Sequence, residues 1–445
     1  MTNHKRSAVA ARRSRATTRR AERRFAGPVD LAATSPDARL LRMLSAIVAR
    51  APRDYEEPHR RLVDILARAE TEAIAGSSAV AGSPLDQFRQ GWRSLVEELL
   101  LSPSDLAAFF PQQSAAYPEL GTLVRDLARP TMDDLARQAI AEARRGWLAD
   151  QADLGAEGAL LPSLLHELAT TDFAAGGFAF LGRYYRFKDA LYGHLVEPAW
   201  RPLHRRIFDL LDLQQANWAG SYVSGYSYQG YARLGMSGVK PTEERLAGWD
   251  IYDVLVPGAR VLDIGSNSGF LSLEIARAVG HVEAIEYNPY LVLMARAAQD
   301  GLGVDNVDFV CGDFTTHEFA GRFDVVLSLA NHQTTDKHMT MPFADYVAKL
   351  FSILMPGGTL LFESHNVFAP GRGGPGDDGD LNAKFDVAER SFEVIRHKMT
   401  RRFVPGDLDV DKLFVVMRRR DQVDESAVRT LDLATARRSY GYRAA

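Results

Sequence analysis

Apolar residues recur at helical spacing through the first half of the chain. Ser35 and Pro36 have the composition of an N-cap followed by the first residue of a helix. The apolar face of that helix comprises Leu40, Leu41, Leu44, Ile47 and Val48. Further stripes follow without a fixed repeat period and are separated by polar or glycine-rich breaks. We therefore expect residues 31–215 to form an irregular all-helical region with an accessory or substrate-binding role.

The pattern changes in the second half of the chain, where short apolar runs alternate with helical patterns. The runs begin at Val261, His281, Val307, Phe323 and Thr359. Strands that alternate with helices in this way form a parallel sheet with helices on its faces. Residues 242–420 are therefore predicted to form an α/β domain, followed by a polar C-terminal tail at 421–445.

A loop with two glycines follows the first of these strands. It reads Asp263-x-Gly265-x-Asn267-x-Gly269 and precedes a helical pattern. A dinucleotide site requires a glycine where Asn267 stands, because the pyrophosphate approaches the backbone there. Asn tolerates the left-handed conformation, so the tight turn can still form. The carboxylate of Asp263 repels a pyrophosphate and attracts an ammonium group, so we infer a ligand with a positive amine and no phosphate.

The acidic residue and the loop after it resemble the signature of the class I S-adenosylmethionine-dependent methyltransferases. The resemblance extends over about residues 242–419, and Asn267 replaces a more usual glycine. It implies an α/β, Rossmann-like sheet of seven strands, with 398–404 and 413–417 as a terminal antiparallel pair. It also implies S-adenosyl-L-methionine as the cofactor. The loop residues expected to bind this cofactor are Asp263, Gly265, Ser266, Asn267 and Gly269.

Further positions match the cofactor-binding pattern of this family. Glu286 ends the second strand, 21 residues after Gly265, where a carboxylate accepts hydrogen bonds from both ribose hydroxyls. Asp313 matches the residue that takes the adenine amino group, and Phe314 matches the apolar neighbour of the ring. The alternative role for Asp313 is a helix N-cap. Ala330, after the fourth strand, is expected to line the same cofactor.

Polar residues follow the fourth strand, where the implied fold brings the methyl group. His332 is the titratable group best suited to remove a proton near neutral pH, and His365 after the fifth strand is the second candidate base. Asn331 and Gln333 are expected to contact the methyl acceptor. Methyl transfer is an in-line displacement that many enzymes promote by positioning. Positioning by Asn331, His332 and Gln333 is therefore the alternative to a general base.

Two segments of unusual composition lie near the predicted site. Residues 216–241 alternate small residues with aromatic ones and are predicted to be a connector or a lid. A lid would place Tyr226 and Tyr228 on the substrate, whereas a connector would pack its rings on the sheet. A Gly- and Pro-rich stretch after the fifth strand includes Arg372, which is expected to meet an anionic group of the substrate. The alternative there is a surface loop.

Composition limits the other chemistry that the chain can perform. The single cysteine, Cys311, excludes an internal disulfide framework and fits a reducing compartment. His332, Asp336 and His338 do not have the spacing of a metal site, so no metal is predicted. No apolar run is long enough to span a bilayer, and the apolar share of 46% is ordinary. With 445 residues, the chain is predicted to be a cytoplasmic protein of two or three domains.

Charge is distributed unevenly along the chain. The formal net charge is −4, but the first 24 residues contain nine Lys and Arg against one Glu, which leaves the rest at about −12. Residues 1–30 are therefore predicted to form a disordered basic tail. Such a tail is also compatible with binding to nucleic acid or an anionic surface, or with an organelle transit peptide. We do not favour nucleic acid, because the acidic remainder has no obvious groove for it.

These observations predict a methyltransferase that acts on an oxygen or nitrogen of a small molecule such as a secondary metabolite. Three alternatives stay open. An RNA methyltransferase would use the basic tail and the tyrosine-rich segment for phosphates and stacking. A nicotinamide-dependent oxidoreductase would bind a dinucleotide, which the loop disfavours, and a non-catalytic partner protein would bind S-adenosylmethionine without turnover. The sequence does not identify the acceptor or the oligomeric state.

Overall fold

The structure of the protein is a computed structural model that divides into two compact units. It describes residues 35–50, 56–76, 80–101, 109, 160–218, 227–332, 341–364, 381–401 and 410–439. The described residues up to Thr171, together with Leu191–Pro198, form the first unit. Asp172–Ala190 and the described residues from Ala199 onward form the second. None of the helices within these ranges combines the length and apolarity needed to cross a bilayer.

The first unit consists of helices. Its main elements are α1 (Pro36–Ala49), α2 (Glu56–Ile74), α3 (Pro84–Leu101) and α4 (Leu160–Thr170). Ala38 N donates a hydrogen bond to Ser35 Oγ at 3.3 Å, and Pro36 is the first helical residue, so the predicted helix start is confirmed. Helix α1 buries its apolar face, including Leu41 and Leu44, where α1 packs on α2 and α4. The predicted N-terminal helical region is thus present.

The second unit is an α/β domain. Helix α5 (Phe173–Leu195) contributes its residues up to Ala190 to this unit. The remaining elements are α6 (Arg201–Asn217), β1 (Gln229–Gly230), β2 (Lys240–Pro241), α7 (Thr242–Trp249), β3 (Arg260–Ile264), α8 (Phe270–Ile275), β4 (His281–Glu286), α9 (Pro289–Leu302), β5 (Val307–Cys311), β6 (Phe323–Leu329), α10 (Phe343–Ile353), β7 (Leu354–Glu363), α11 (Leu381–Ser391), β8 (Phe392–Arg401), β9 (Val410–Arg419) and α12 (Leu433–Ser439).

Strands β3 to β9 form one sheet of seven strands in the order β5-β4-β3-β6-β7-β9-β8. Its strands are parallel except β9, which runs antiparallel to both β7 and β8. This is the seven-stranded, Rossmann-like sheet that the sequence predicted, and strands β4, β5 and β6 have the predicted bounds. Strand β7 begins at Leu354 rather than Thr359, because Leu354 pairs with Phe323 before a register shift and regular pairing resumes at Thr359.

The sheet has an apolar core on each face because successive side chains point to opposite sides. Val261 belongs to the core under α8 and α9, whereas Leu262 and Ile264 belong to the core under α10 and α11. Helix α6 packs on α9, where Leu203 of α6 lies against Gly301. Within the sequence predicted as a tail at 421–445, helix α12 packs on β8 and the side chain of Ala436 is buried.

The reversed direction of β9 determines which residues share the carboxyl edge of the sheet. Glu363, the last residue of β7, pairs with Phe414 near the start of β9. Thr400, near the end of β8, pairs with Lys412 of β9. The ends of β3, β4, β6 and β7 and the beginning of β9 therefore meet at one edge. Open α/β sheets bind their ligands at this edge.

Candidate functional site

The glycine-bracketed loop lies at the carboxyl end of β3 and turns through left-handed backbone conformations. The φ angles of Gly265, Asn267 and Gly269 are +68°, +56° and +73°. Asn267 therefore adopts the conformation expected of it. A Cβ atom on Gly269 would lie 2.5 Å from the side chains of both Ala295 and Phe309, so the loop packs too closely on α9 and β5 for another residue there.

Gln229 of β1 forms hydrogen bonds with residues at both ends of this loop. Its Nε2 donates to Ser266 O at 3.1 Å, and its Oε1 accepts from Phe270 N at 2.9 Å and from Ser268 Oγ at 3.3 Å. Helix α8 follows Gly269, which has no side chain to cap the first helical N–H groups. The buried amide of Gln229 therefore serves as the cap and joins both ends of the loop.

Asp263 precedes the loop, and its carboxyl group is 2% exposed. Ser272 Oγ donates to Asp263 Oδ2 at 2.6 Å. Burial raises the pKa of Asp263 to about 6, although the hydrogen bond from Ser272 and the charge of Arg245 oppose the change. Within the described part of the chain, no hydrogen bond to Oδ1 is formed. A cationic ligand group at Oδ1 would therefore stabilise the ionised form of this side chain.

Glu286 ends β4 on the opposite side of the loop. Asn267 N donates to its Oε2 at 2.8 Å, and Asn288 N donates to its Oε1 at 2.9 Å. These bonds fix the plane of the carboxylate at the carboxyl edge. The oxygens of an ionised carboxylate are hydrogen-bond acceptors, which is what a hydroxyl donor requires. The arrangement suits the predicted contact with ribose hydroxyls, which stays a prediction.

The residues predicted to surround the adenine have other contacts within the protein. Asp313 Oδ1 accepts hydrogen bonds at 2.8 Å from both the backbone N and the hydroxyl of Thr315, so it stabilises the turn at 314–316; no helix begins there, and the alternative role as a helix N-cap is wrong. The Phe314 ring is buried and packs on Phe319 and Tyr346, with ring centroids 6.0 and 5.5 Å apart. Their roles at the cofactor stay predictions.

Asn331 links the end of β6 to the cofactor loop. Its Nδ2 donates to Ile264 O, and its Oδ1 accepts from the hydroxyls of Ser328 and Tyr346, both at 3.1 Å. The preceding residue, Ala330, has a φ of +56°. This turn brings the Asn331 amide back under Ile264. The observed bonds make Asn331 a support of the loop, and its predicted contact with the acceptor stays untested.

His332 is enclosed by aromatic rings. Its side chain is 3% exposed and lies among Phe343, Tyr346 and Phe362, with ring centroids 5.2 to 6.5 Å from its own. Lys384 Nζ of α11 lies 3.1 Å from His332 Nε2. Burial, with the charges of Lys384 and Lys412, lowers the pKa of His332 to about 3. The ring is therefore neutral at neutral pH and accepts a proton only weakly.

A buried group of charges surrounds Glu363, the last residue of β7 at the carboxyl edge. Glu363 accepts hydrogen bonds from Trp249 Nε1 at 3.0 Å and Lys412 Nζ at 3.4 Å. Burial alone would raise the pKa of Glu363, but Lys412, Arg245 and Lys240 outweigh it and lower the pKa to about 2. Glu363 is therefore ionised at neutral pH. We call Lys240, Arg245 and Lys412 the cation cluster.

Several residues predicted for the site lie outside the described residues. They are Tyr226, Gln333, His365 and Arg372, together with Asp336 and His338 of the rejected metal set. Tyr228 is described, and its ring centroid lies 4.8 Å from Lys240 Nζ. No group of three metal-binding side chains occurs in the described parts of the chain.

The sequence interpretation missed Gln229 and the cation cluster. Gln229 lies in the tyrosine-rich segment, whose composition indicates aromatic packing and does not single out one buried amide. Lys240, Arg245 and Lys412 come from β2, α7 and β9, so their positions in the sequence do not indicate that they meet. The sequence does contain one indication of the cluster, which is Lys412 within the mostly apolar strand β9. A lysine is rarely buried in a strand unless it has a charged partner or a function.

Part of the second unit is similar to known protein families. A family model described as "Methyltransferase domain" matches residues 261–358. The chain is 35% identical to the ubiquinone biosynthesis O-methyltransferase of Xanthomonas campestris over 115 residues, which cover 25% of this chain and 46% of that protein. It is 34% identical to the protein-L-isoaspartate O-methyltransferase 2 of Rhodopseudomonas palustris over 108 residues, with coverages of 24% and 45%. The chain thus spans about half the length of these relatives.

A solved structure is similar to part of the chain at lower identity. The N-methyltransferase NodS from Bradyrhizobium japonicum, in complex with S-adenosyl-L-homocysteine, is 14% identical, and the match covers 48% of this chain and 98% of that one with a TM-score of 0.33.

Proposed function

We propose that this protein, which contains a class I S-adenosylmethionine-dependent methyltransferase domain, transfers a methyl group from S-adenosylmethionine to an oxygen or nitrogen of a small molecule. The proposal depends above all on the loop between β3 and α8. Its left-handed turns hold the loop between the Asp263 and Glu286 carboxylates, each of which is fixed by hydrogen bonds.

The residues at this loop fit the cofactor in charge and in shape. We assign the ammonium end of the cofactor to Asp263 and the ribose to Glu286, because carboxylates accept from both kinds of donor. Gly265 leaves the space beside Asn331 open, since a Cβ there would lie 3.3 Å from Asn331 Cβ. Two carboxylates at one loop disfavour a pyrophosphate, so the oxidoreductase alternative fits the site less well.

The chemistry asked of the protein is limited. Bound S-adenosylmethionine supplies a methyl group that its sulfonium already activates. The protein must therefore orient the acceptor, exclude water and receive a proton when the acceptor is a hydroxyl group. The low pKa of His332 favours orientation by its neutral ring, held by Lys384. Proton removal by His332 or His365 stays a prediction.

An enclosed acceptor end supports a small molecule. His332 and Glu363 are buried among aromatic side chains rather than placed on an open surface. The relative named for ubiquinone biosynthesis methylates oxygen by its name, which agrees with this choice.

RNA is the second candidate acceptor. The chain is 43% identical over 74 residues to a probable ribosomal RNA small subunit methyltransferase A of Methanothermobacter thermautotrophicus, although the match covers only 26% of that protein. An RNA substrate would make binding fall steeply with salt, and deletion of residues 1–24 would abolish it. A gel-shift titration at several salt concentrations separates the two candidates.

Glu286→Gln tests the cofactor site directly. This change keeps the shape but replaces one acceptor oxygen with a donor, so affinity for S-adenosylhomocysteine should fall about tenfold or more. Isothermal titration calorimetry measures the affinity. Glu283→Gln is the matched control, because Glu283 lies on the same strand and pairs with Arg260 at 3.1 Å. Equal affinities in the two variants would remove Glu286 from the ribose site, and no binding by the wild type would refute the proposed function.

A further inference from the structure

We propose that the cation cluster, Lys240, Arg245 and Lys412, binds an anionic group of the methyl acceptor, either a carboxylate or a phosphate. The inference rests on the proposed function, because it assigns the substrate class of the same site. It gives the acceptor a negatively charged group that enters the carboxyl edge of the sheet between β7 and β9.

The three cations are buried together although they come from distant parts of the chain. Lys240, Arg245 and Lys412 are 6%, 6% and 3% exposed. Glu363 Oε2 lies 3.4 Å from Lys412 Nζ and is electrostatically coupled to all three cations. Among the described residues, neither Lys240 nor Arg245 forms an ion pair with a carboxylate. Three basic side chains among the described residues therefore lie near a single acidic side chain, that of Glu363.

Such an arrangement opposes folding unless something compensates for it. A buried ammonium group loses its hydration, and like charges nearby add to the cost. Burial, with Lys412 and Arg245, lowers the pKa of Lys240 well below its ordinary value, and only Glu363 opposes the change. Charged groups held at such a cost are typical of functional sites. A bound anion would offset this cost.

Aromatic faces complete the cluster without neutralising it. Lys240 Nζ lies 4.8 Å from the centroid of the Tyr228 ring, and the Arg245 guanidinium carbon lies 4.6 Å from that of Trp249. Cation–π contacts of this kind are weak compared with the cost of burying a charge. They hold the cations in place and leave the net charge unchanged, so a planar organic acid could lie against the same surface.

The cluster adjoins the part of the site assigned to the acceptor. Glu363 O accepts a hydrogen bond from Ala330 N at 2.8 Å, which joins the end of β7 to the turn that carries His332. The charge of Lys412 also acts on His332. Arg245 acts on Asp263 as well, so the carboxylate of the cofactor itself is the competing source of the anion.

The test uses the full-length protein with inorganic phosphate and acetate as probes. Each anion is titrated at constant ionic strength, set with chloride, with and without saturating S-adenosylhomocysteine. Thermal unfolding and calorimetry report binding. We expect saturable binding of at least one anion by the wild type, with an affinity that S-adenosylhomocysteine does not reduce. Preference for phosphate over acetate, or the reverse, then tells which anionic group the acceptor bears.

Two variants and one control make the result specific. Lys240→Gln and Arg245→Gln should each weaken anion binding about tenfold or more, and Lys240→Gln should leave the affinity for S-adenosylhomocysteine nearly unchanged. Because Lys240 lies among like charges, its replacement should not destabilise the fold. If either variant does not fold, the other still tests the inference. Arg396→Gln, at an exposed ion pair with Asp253, should bind anions as the wild type does.

Several outcomes overturn the inference. They are the absence of saturable anion binding, equal anion binding by Lys240→Gln and Arg396→Gln, and competition between phosphate and S-adenosylhomocysteine. Competition would assign the cluster to the carboxylate of the cofactor. If the wild type does not bind S-adenosylhomocysteine, the proposed function is refuted instead. The anion titrations done without S-adenosylhomocysteine would still report on the cation cluster.

Discussion

Gln229→Leu should disconnect the cofactor loop from the segment that holds it. The substitution keeps a buried side chain of similar size but removes every hydrogen bond of the amide. Ser266 O loses its donor at 3.1 Å, and Phe270 N loses its acceptor at 2.9 Å. Both residues are buried, so water replaces these partners poorly.

The magnitude follows from the two shortest bonds to buried backbone groups, since the third, from Leu271 N at 3.4 Å, is long. Each such group costs about 1–3 kcal/mol. Because the two bonds share one side chain and are not additive, we expect a loss of about 2–4 kcal/mol in the free energy of unfolding. Part of this loss should appear as disorder of the loop, which a ligand must then reverse on binding. Affinity for S-adenosylhomocysteine should therefore fall about tenfold to a hundredfold.

The assay combines urea unfolding with calorimetric titration. Gln299→Leu is the matched control, because Gln299 donates one hydrogen bond to Val307 O at 2.6 Å and does not touch the loop. That control should lose about 1 kcal/mol of stability and little affinity. The reasoning is refuted if both variants have the same affinity for S-adenosylhomocysteine, since the loop would then need no support from Gln229.

Two other substitutions test the charges of the site. Burial raises the pKa of Asp263 from 3.8 to about 6, so this group favours the folded state at low pH and opposes it progressively as the pH rises toward 6. Asp263→Asn should therefore unfold at higher urea than the wild type at pH 7, by up to about 3 kcal/mol, and lose that advantage near pH 4. The same variant should bind S-adenosylhomocysteine more weakly, and wild-type affinity should decline below pH 6; an affinity independent of pH would contradict the ammonium contact. His332→Gln should lower kcat and change cofactor affinity less than about twofold. Because the pKa of His332 is about 3, the pH profile of kcat should show no inflection from this residue between pH 5 and 8, and an inflection near 6.5 that the variant abolishes would disprove the burial argument.

The sequence was most informative where the residues of one feature are close together in the chain. The loop, the left-handed Asn267 and the acidic end of β4 belong to one strand-helix-strand unit, so their spacing is set by local structure. The apolar runs likewise predicted the bounds of β4, β5 and β6. Strand β7 was longer than predicted because Pro356 and Gly357 resemble a turn although Leu354 already pairs with β6.

Features that depend on contacts between distant segments were not predictable. Gln229 and Phe270 are 41 residues apart, and Lys412 and Glu363 are 49 apart. No periodicity relates such pairs. The enclosure of His332 also depends on α10, β7 and α11, so its lowered pKa could not be inferred from its place after β6. In the aromatic-rich segment, the Tyr231 ring stacks on that of Phe270 in α8 with centroids 5.7 Å apart, and the choice between connector and lid stays a prediction.

Because β9 is antiparallel and lies near the end of the chain, the proposed donor and acceptor sides of the site come from different parts of the sequence. The loop and the two carboxylates assigned to the donor, Asp263 and Glu286, arise within a single βαβ unit, whereas the proposed acceptor side is completed only when β9 enters between β7 and β8. Under the proposed function, substitutions in β9 are expected to alter which molecule is methylated and to leave donor binding intact. Swapping β8 and β9 between related chains should then change acceptor specificity without disturbing donor binding.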